Sequence, residues 1–397
     1  MNPNSRKELL IATYIIIIFV ALHQFIPYFV LSKFLSNYFE TKYISIIFIV
    51  AGITCIVAGN YFTLFLQKYS NYKTLFTLCL IQILVTFVLP FLGNINLFLL
   101  SIIFIAHVVL TSLIWSCVNV FLDGFSPTGN TGEIRGLSAT IYNFGVIVSP
   151  FLAAKIYIHY DYFGIFIISS FMIFPIIFLS HKYLHKVKES NYKHTNLWRA
   201  VKQINGNKNL HGVFISYFIL CSFYSMMNVY FILYLLNEIQ IPITTYLGVI
   251  TPIFLLPFIL FPYEIGKLSD EVLGEKKLMI FGMAMVSIVS LSIYFFNINT
   301  SSVLIWAIIL FISRIGASIN EIETYTYFYK KVNPENSDLI YLFENLKYIS
   351  LVFVSTLGLI IIDLFKFPIP TLLFIIGVLG LLSIFKIAQI RDTKPTQ

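Results

Sequence analysis

The chain has 397 residues, of which 58% are hydrophobic and only 11% charged, and its mean hydropathy is +0.86. That composition excludes an ordinary soluble globule and points to a polytopic membrane protein, because apolar runs of about 18 or more residues each suffice to cross a hydrocarbon core of about 30 Å as a helix. The formal charge of +8 invites a nucleic-acid or acidic partner, an invitation withdrawn once the basic residues are placed along the chain.

Twelve such runs are read, over residues 9–31, 43–65, 74–92, 96–121, 137–158, 162–181, 210–235, 243–263, 277–296, 302–328, 341–362 and 367–388. The first follows Arg6 and Lys7 as a signal peptide would, but it lacks a small-residue cleavage site and continues through bulky side chains, so a retained helix is expected. Cys55, Cys79, Cys117 and Cys221 are scattered singly without metal-type pairing and are read as reduced apolar filler. No metal-ligating or cofactor motif is present, and no Walker-type loop supports ATP-driven transport. Most of the 26 basic residues fall in segments that are cytoplasmic if both termini are inside; Lys33, Lys42 and Lys366 fall outside, and Lys155, Arg314 and Lys347 within spans. Topology thus accounts for the positive charge, and no nucleic-acid partner is expected. Lys155, near the outer end of the fifth span, is expected to snorkel.

The longest polar segment, His181 to Asn209, divides the chain into an N-terminal six-helix bundle (1–182), a linker (183–209) and a C-terminal six-helix bundle (210–397). Within it Leu197, Trp198, Val201 and Ile204 recur at helical spacing, which fits either a short helix on the membrane surface or a solvated linker. The halves also match in order: Phe104 to His107 with Phe311 to Arg314 and Pro127 with Pro334 at an offset of 207, then Tyr142, Val148 and Ser149 with Tyr348, Val354 and Ser355 at 206. Repeats of this kind place a transporter's site at their interface. In the eighth span Pro252, Pro257 and Pro262 predict a bent helix.

Charges inside apolar helices need an explanation. Arg314, near the centre of the tenth span, is either the partner of an anionic substrate group or one side of a structural pair with Glu321 or Glu344. Glu321 lies seven residues on, on the same helical face about 10 Å along the axis, whereas Glu323 points elsewhere. Each of these acids either exchanges protons or holds helix ends together. Glu344 and Lys347 can meet at i, i+3 as a gate or bridge. Asp123, Glu133 and Arg135 border the fourth and fifth spans and are read as structural. The abundance of aromatic residues, 40 Phe and 25 Tyr, is read as base-composition bias and not as sugar stacking.

The loop after the eighth span, Gly266-Lys-Leu-Ser-Asp270-Glu-Val-Leu-Gly274-Glu-Lys276-Lys277, resembles the cytoplasmic loop motif of the major facilitator superfamily (MFS). The resemblance implies that Gly266 lets helices approach closely, that Asp270 caps or pairs at a helix end, and that Lys276 and Lys277 meet lipid headgroups. The match carries one extra residue before Gly274 and has Glu271 where a basic residue is usual. The first-half copy, Thr63 to Thr74, keeps Lys68 and Lys73 but has Thr63, Gln67 and Asn71 in place of Gly, Asp and Gly. Arg314-Ile-Gly316 is similar to the Arg-x-x-Gly motif usual in the fourth span, and Gly145 to Pro150 to the Gly-x-x-x-Gly-Pro motif of the fifth, with Ser149 for the second Gly.

The implied fold is all-α, twelve transmembrane helices in two pseudo-symmetric six-helix bundles. The resemblance implies a cavity lined by the first, fourth, seventh and tenth helices, so His23, Gln24, His107, Asn228 and Arg314 inherit a substrate-binding role, with Glu321, Glu323, Glu344 and Lys347 as coupling or gating residues. A lone intramembrane polar side chain also often bonds a neighbouring helix. The expectation is a non-enzymatic, monomeric secondary transporter of a small solute, proton-coupled, in a bacterial plasma membrane with both termini cytoplasmic. The alternatives are a transport-inactive sensor or partner subunit, motivated by the departed first-half loop, and an enzyme acting on lipid-linked substrates.

Overall fold

The computed structural model describes residues 3–125, 131–185, 187, 197–296, 298, 300–333 and 336–392. Pro127, Pro334 and the Glu133 side chain lie outside the described residues, as does most of the linker. Among those described, helix dominates, as hydrocarbon requires of a chain that must satisfy its own backbone polar groups.

Eleven helical runs are long and apolar enough to cross a membrane. They are α1 (Arg6–Ser36), α2 (Thr41–Tyr69), α3 (Asn71–Leu92), α4 (Leu97–Phe125), a run Ile134–Leu184, α7 (Lys208–Glu238), α8 (Ile243–Leu273), α9 (Glu275–Phe295), α10 (Val303–Lys331), α11 (Ser337–Leu364) and α12 (Pro370–Ile387). The run Ile134–Leu184 holds 51 residues, about 76 Å of helix and more than twice one crossing. It breaks at Asp161, where φ is 54°. The Asp161 carboxylate accepts from the Tyr162 N–H at 2.7 Å and so starts a new helix. The run therefore contains α5 (134–160) and α6 (162–184), which makes twelve membrane-length helical segments among the described residues.

Two compact units form, Met1–Phe34 with Thr54–His194 (unit 1), and Leu35–Ile53 with Thr195–Gln397 (unit 2). In unit 1 the core gathers Ile16, Ile17 and Val20 of α1, Cys79 of α3, Ile114 and Cys117 of α4, and Ile173 and Ile176 of α6. At Gly145 a Cβ would stand 2.6 Å from the Ala21 Cβ, so glycine there is what lets α5 lie against α1. All four cysteines are buried free thiols.

The first half of α2 belongs to unit 2. Ser45 Oγ and Tyr230 Oη are 2.7 Å apart, and Gly52 sits against Val352 and the Tyr348 carbonyl. Elsewhere in unit 2, α9 meets α10 at Gly282 and Gly316, and meets α12 where Gly377 and Gly380 face Ser287. These small residues let backbones close without a hydrophobic drive between helices. The three prolines of α8 divide its second half into the pieces Thr251–Leu255, Pro257–Leu260 and Pro262–Leu268. Ser318 of α10 donates to the Pro257 carbonyl at 3.3 Å, the usual remedy for a backbone acceptor freed by a bend.

The short helix Leu197–Asn205 carries buried Ala200 and Ile204 on one face and Trp198, 85% exposed, on another. Its apolar content is therefore split between packing on unit 2 and an outward tryptophan.

Candidate functional site

Arg314, the twelfth residue of α10, is only 5% exposed. Its guanidinium carbon lies 5.3 Å from the Phe223 ring centre, 5.0 Å from Tyr224 and 4.9 Å from Phe254, so rings from α7 and α8 surround it. Each face-on contact of this kind contributes about 0.5–2 kcal/mol, most where water is excluded. Tyr224 also donates its hydroxyl to Glu321 Oε2 at 2.6 Å. The two charges expected on one face of α10 are thus joined through a tyrosine of α7 that lies under the first and bonds the second.

The polar row continues along α10. Tyr217 and Tyr325 hydroxyls are 2.8 Å apart, the Tyr217 ring stacks on Phe343 at 4.5 Å, and Tyr329 donates to Glu344 Oε1 at 3.1 Å. Lys347 lies with its ammonium 5.1 Å from the Tyr348 ring. Tyr224, Glu321, Tyr325, Glu344 and Lys347 are all half-buried. Asn228 is half-buried too, in a π-helical stretch, Met227–Phe231, one turn beyond Tyr224.

Glu323 faces away from this row. It is wholly buried, with Ser269 of α8 donating to its Oε2 at 2.6 Å. Nearby, Lys330 bonds Asp270 at 2.9 Å and buried Glu275 at 2.8 Å. These contacts tie the end of α10 to the α8–α9 loop.

The same loop corrects one expectation and narrows another. Around Gly266 the last turns of α8 are mostly exposed, and a Cβ there would meet nothing within 4 Å, so close helix approach is not its task. Of its two expected tasks, to cap or to pair at a helix end, Asp270 takes the pair, with Lys330, and leaves the cap on α9 to another group. That cap comes from Asp392, whose Oδ1 accepts the Lys276 N–H at 2.8 Å, across Gly274 at φ 78°. Lys277 is exposed beside it.

In unit 1, His23 and His107 are buried in a polar node that sequence reading missed as a unit. Its centre is Gln82 of α3, whose Nε2 lies 2.9 Å from His23 Nε2, 3.0 Å from His107 Nδ1 and 2.9 Å from Thr111 Oγ1. His23 Nδ1 donates to the Ser169 carbonyl at 3.0 Å, which fixes the tautomer and leaves Nε2 to accept from Gln82. Thr86 Oγ1 is 3.0 Å from His107 Nδ1. Helices α1, α3, α4 and α6 thereby meet around one side-chain amide, whose two hydrogens are shared among these acceptors. The signal available in the sequence was one amide in mid-span, on a helix not expected to line a cavity. Gln24 is half-buried and accepts from Tyr142 at 3.1 Å, with Trp115 against the Tyr142 ring at 4.4 Å. Asp123 pairs with Arg135 at the end of α4.

Gln82→Leu should lower the thermal midpoint of the purified protein. Interhelical bonds average about 0.6 kcal/mol each in membranes, and orphaned acceptors add to that, for a total loss of about 2 kcal/mol. An unchanged midpoint would mean that the node does not hold the four helices.

A sequence model of the Major Facilitator Superfamily matches residues 136–343, more than half of the chain. No curated protein matches the sequence significantly. Among solved structures, an auto-inhibited POT family peptide transporter is similar with a TM-score of 0.74 at 10% identity, covering 99% of each chain. The nucleoside transporter NupG is similar at 0.72 and 12%, covering 96% of this chain and 99% of that one. The xylose transporter XylE from E. coli, in a partially occluded inward-open conformation, is similar at 0.71 and 14%, covering 99% and 100%. With a family match over more than half its length and membrane-length helices throughout its described residues, the chain belongs to the Major Facilitator Superfamily and is a membrane transporter, not an enzyme.

Proposed function

We propose that this transporter is a secondary active one, moving a small solute by alternating access between the halves 1–182 and 210–397, with proton coupling at Glu321. The observation that supports this is the half-buried polar row of unit 2. Tyr224 lies near the middle of α7, a helix of 31 residues, so its bond to Glu321 holds that carboxylate at membrane depth. An ionisable group there costs at least about 2.5–3.5 kcal/mol against hydrocarbon. Partial exposure of these side chains supports a polar path beside α7, α10 and α11. The basic residues gathered on one side support cytoplasmic termini.

The test is uptake by purified protein reconstituted in lipid vesicles, over a panel of sugars, peptides, nucleosides, amines and carboxylates. An inward proton gradient should accelerate one class and its collapse should stop accumulation. Folded protein that moves nothing under any gradient would instead favour the transport-inactive sensor or partner reading.

A further inference from the structure

Glu344 and Lys347 stand three residues apart on α11, a spacing at which opposite charges on a helix meet. These two do not pair directly. Glu344 is drawn to α10, where Tyr329 donates to its Oε1 at 3.1 Å, and the Lys347 ammonium lies 5.1 Å from the ring centre of its neighbour Tyr348. Two opposite charges are thus held side by side, each by a tyrosine. Cys221 of α7 is within electrostatic reach of both and of Glu321, which sets α7 beside the same stretch of α11.

Both side chains are half-buried, so a solute in the polar row can touch them. Lys347 is the eleventh residue of α11, about 15 Å along its axis, a depth at which an ionised group needs a counter-charge or water. What the pair offers a solute is one carboxylate oxygen, Glu344 Oε2, and the three hydrogens of an ammonium that a ring face engages only through its charge. Residues at i and i+3 have Cβ atoms about 5–6 Å apart, close enough for one small molecule to reach both. A simple amine would answer Glu344 and leave Lys347 unanswered, a simple carboxylate would do the reverse, and a sugar would neutralise neither. The complement of both is an ammonium and a carboxylate on one carbon, each making a charge-assisted bond.

We propose that the substrate is an α-amino acid, its ammonium held by Glu344 and its carboxylate by Lys347. The assignment rests on the reading of unit 2's polar row as the transport path, and it names the class of solute that the row takes. Glu321 lies eight residues before Tyr329 on α10, about 12 Å along the axis. The coupling carboxylate is therefore set apart from the substrate's ammonium and can exchange its proton while the substrate is bound.

The full chain in detergent would be titrated with each of the common amino acids, and thermal midpoint and apparent affinity followed. At least one should raise the midpoint. For the strongest binder, the N-acetyl derivative lacks the ammonium and the carboxamide lacks the carboxylate, and each should bind about tenfold more weakly than the parent. Glu344→Gln keeps an amide oxygen for Tyr329, and Lys347→Gln gives up only a ring contact, so both variants should fold. Glu344→Gln should lose the discrimination against the N-acetyl derivative and keep that against the carboxamide; Lys347→Gln should do the reverse. A purely structural role for either residue would move neither ratio. Binding by no amino acid, derivatives that bind as well as the parent, or wild-type ratios persisting in both variants overturns the proposal. The vesicle assay keeps the two readings apart. Gradient-driven uptake of another class alone leaves transport standing and removes the amino-acid assignment, whereas binding with the expected ratios and no movement under any gradient does the opposite.

Discussion

Leucine at Gly316 should leave no well-folded protein, and alanine there should lower the thermal midpoint by several degrees. A Cβ at Gly316 would stand 2.6 Å from the Met285 Cβ, 2.7 Å from the Gly282 carbonyl oxygen and 3.1 Å from the Val286 nitrogen. On the facing helix a Cβ at Gly282 would stand 2.6 Å from the Gly316 oxygen and 2.8 Å from the Asn320 nitrogen. Backbone atoms cannot rotate out of the way, so α9 and α10 must separate. Overpacking of this kind typically costs about 1–3 kcal/mol. Separation would also stretch the bond from Asn320 Nδ2 to the Met279 carbonyl, 3.0 Å long, which seals the same contact. Gly266→Ala is the matched control. Its new Cβ meets nothing within 4 Å, and in a helix alanine is favoured over glycine by up to about 1 kcal/mol. Size-exclusion profiles and melting curves of the three variants check the argument, and equal behaviour of Gly316→Ala and Gly266→Ala would refute it.

Removing Arg314 should be more damaging than neutralising Glu321, although both charges lie on one face of one helix. Arg314→Leu leaves the Glu321 carboxylate in unit 2 without the cation behind Tyr224. It also removes three ring contacts of about 0.5–2 kcal/mol each. The midpoint should fall sharply and uptake should be lost. Arg314→Lys should recover little, because an ammonium cannot lie flat against the three rings that the guanidinium meets. Glu321→Gln should behave differently. Its amide oxygen can still accept from Tyr224, so the midpoint should stay close to wild type while gradient-driven accumulation disappears and downhill exchange survives. Uptake and melting measured on the same preparations separate these outcomes. Proton-driven accumulation by Glu321→Gln at the wild-type rate would remove Glu321 from the coupling role.

The pattern of apolar runs made twelve crossings legible, and three prolines at five-residue spacing announced the broken course of α8. The boundary between α5 and α6 was also readable, but its device was not: Asp161 at φ 54° bonding its neighbour's N–H is a local backbone event without a distinctive sequence pattern. The loop motif pointed to the family and misassigned one of its parts. Gly266 sits at the motif position, yet close packing fell to Gly282 and Gly316; Asp270 took the pairing alternative, and the cap on α9 fell to Asp392, 122 residues beyond it. Both tasks depend on what is adjacent in space, and nothing in the loop itself specifies that.

What the sequence determined by itself was everything that follows from transfer into hydrocarbon: the number of crossings, the placement of basic residues, and the demand that Arg314, Glu321, His23 and His107 find polar company. Those are properties of a residue and its neighbours along the chain. Which company each keeps was decided only by tertiary structure. Tyr224 joins Arg314 to Glu321, Gln82 joins His23 to His107, and Ser269 claims Glu323. The physical reason is that an isolated helix offers each polar side chain several neighbouring faces of nearly equal apolar character, and the choice among them is made by the packing of small residues and bends on other helices.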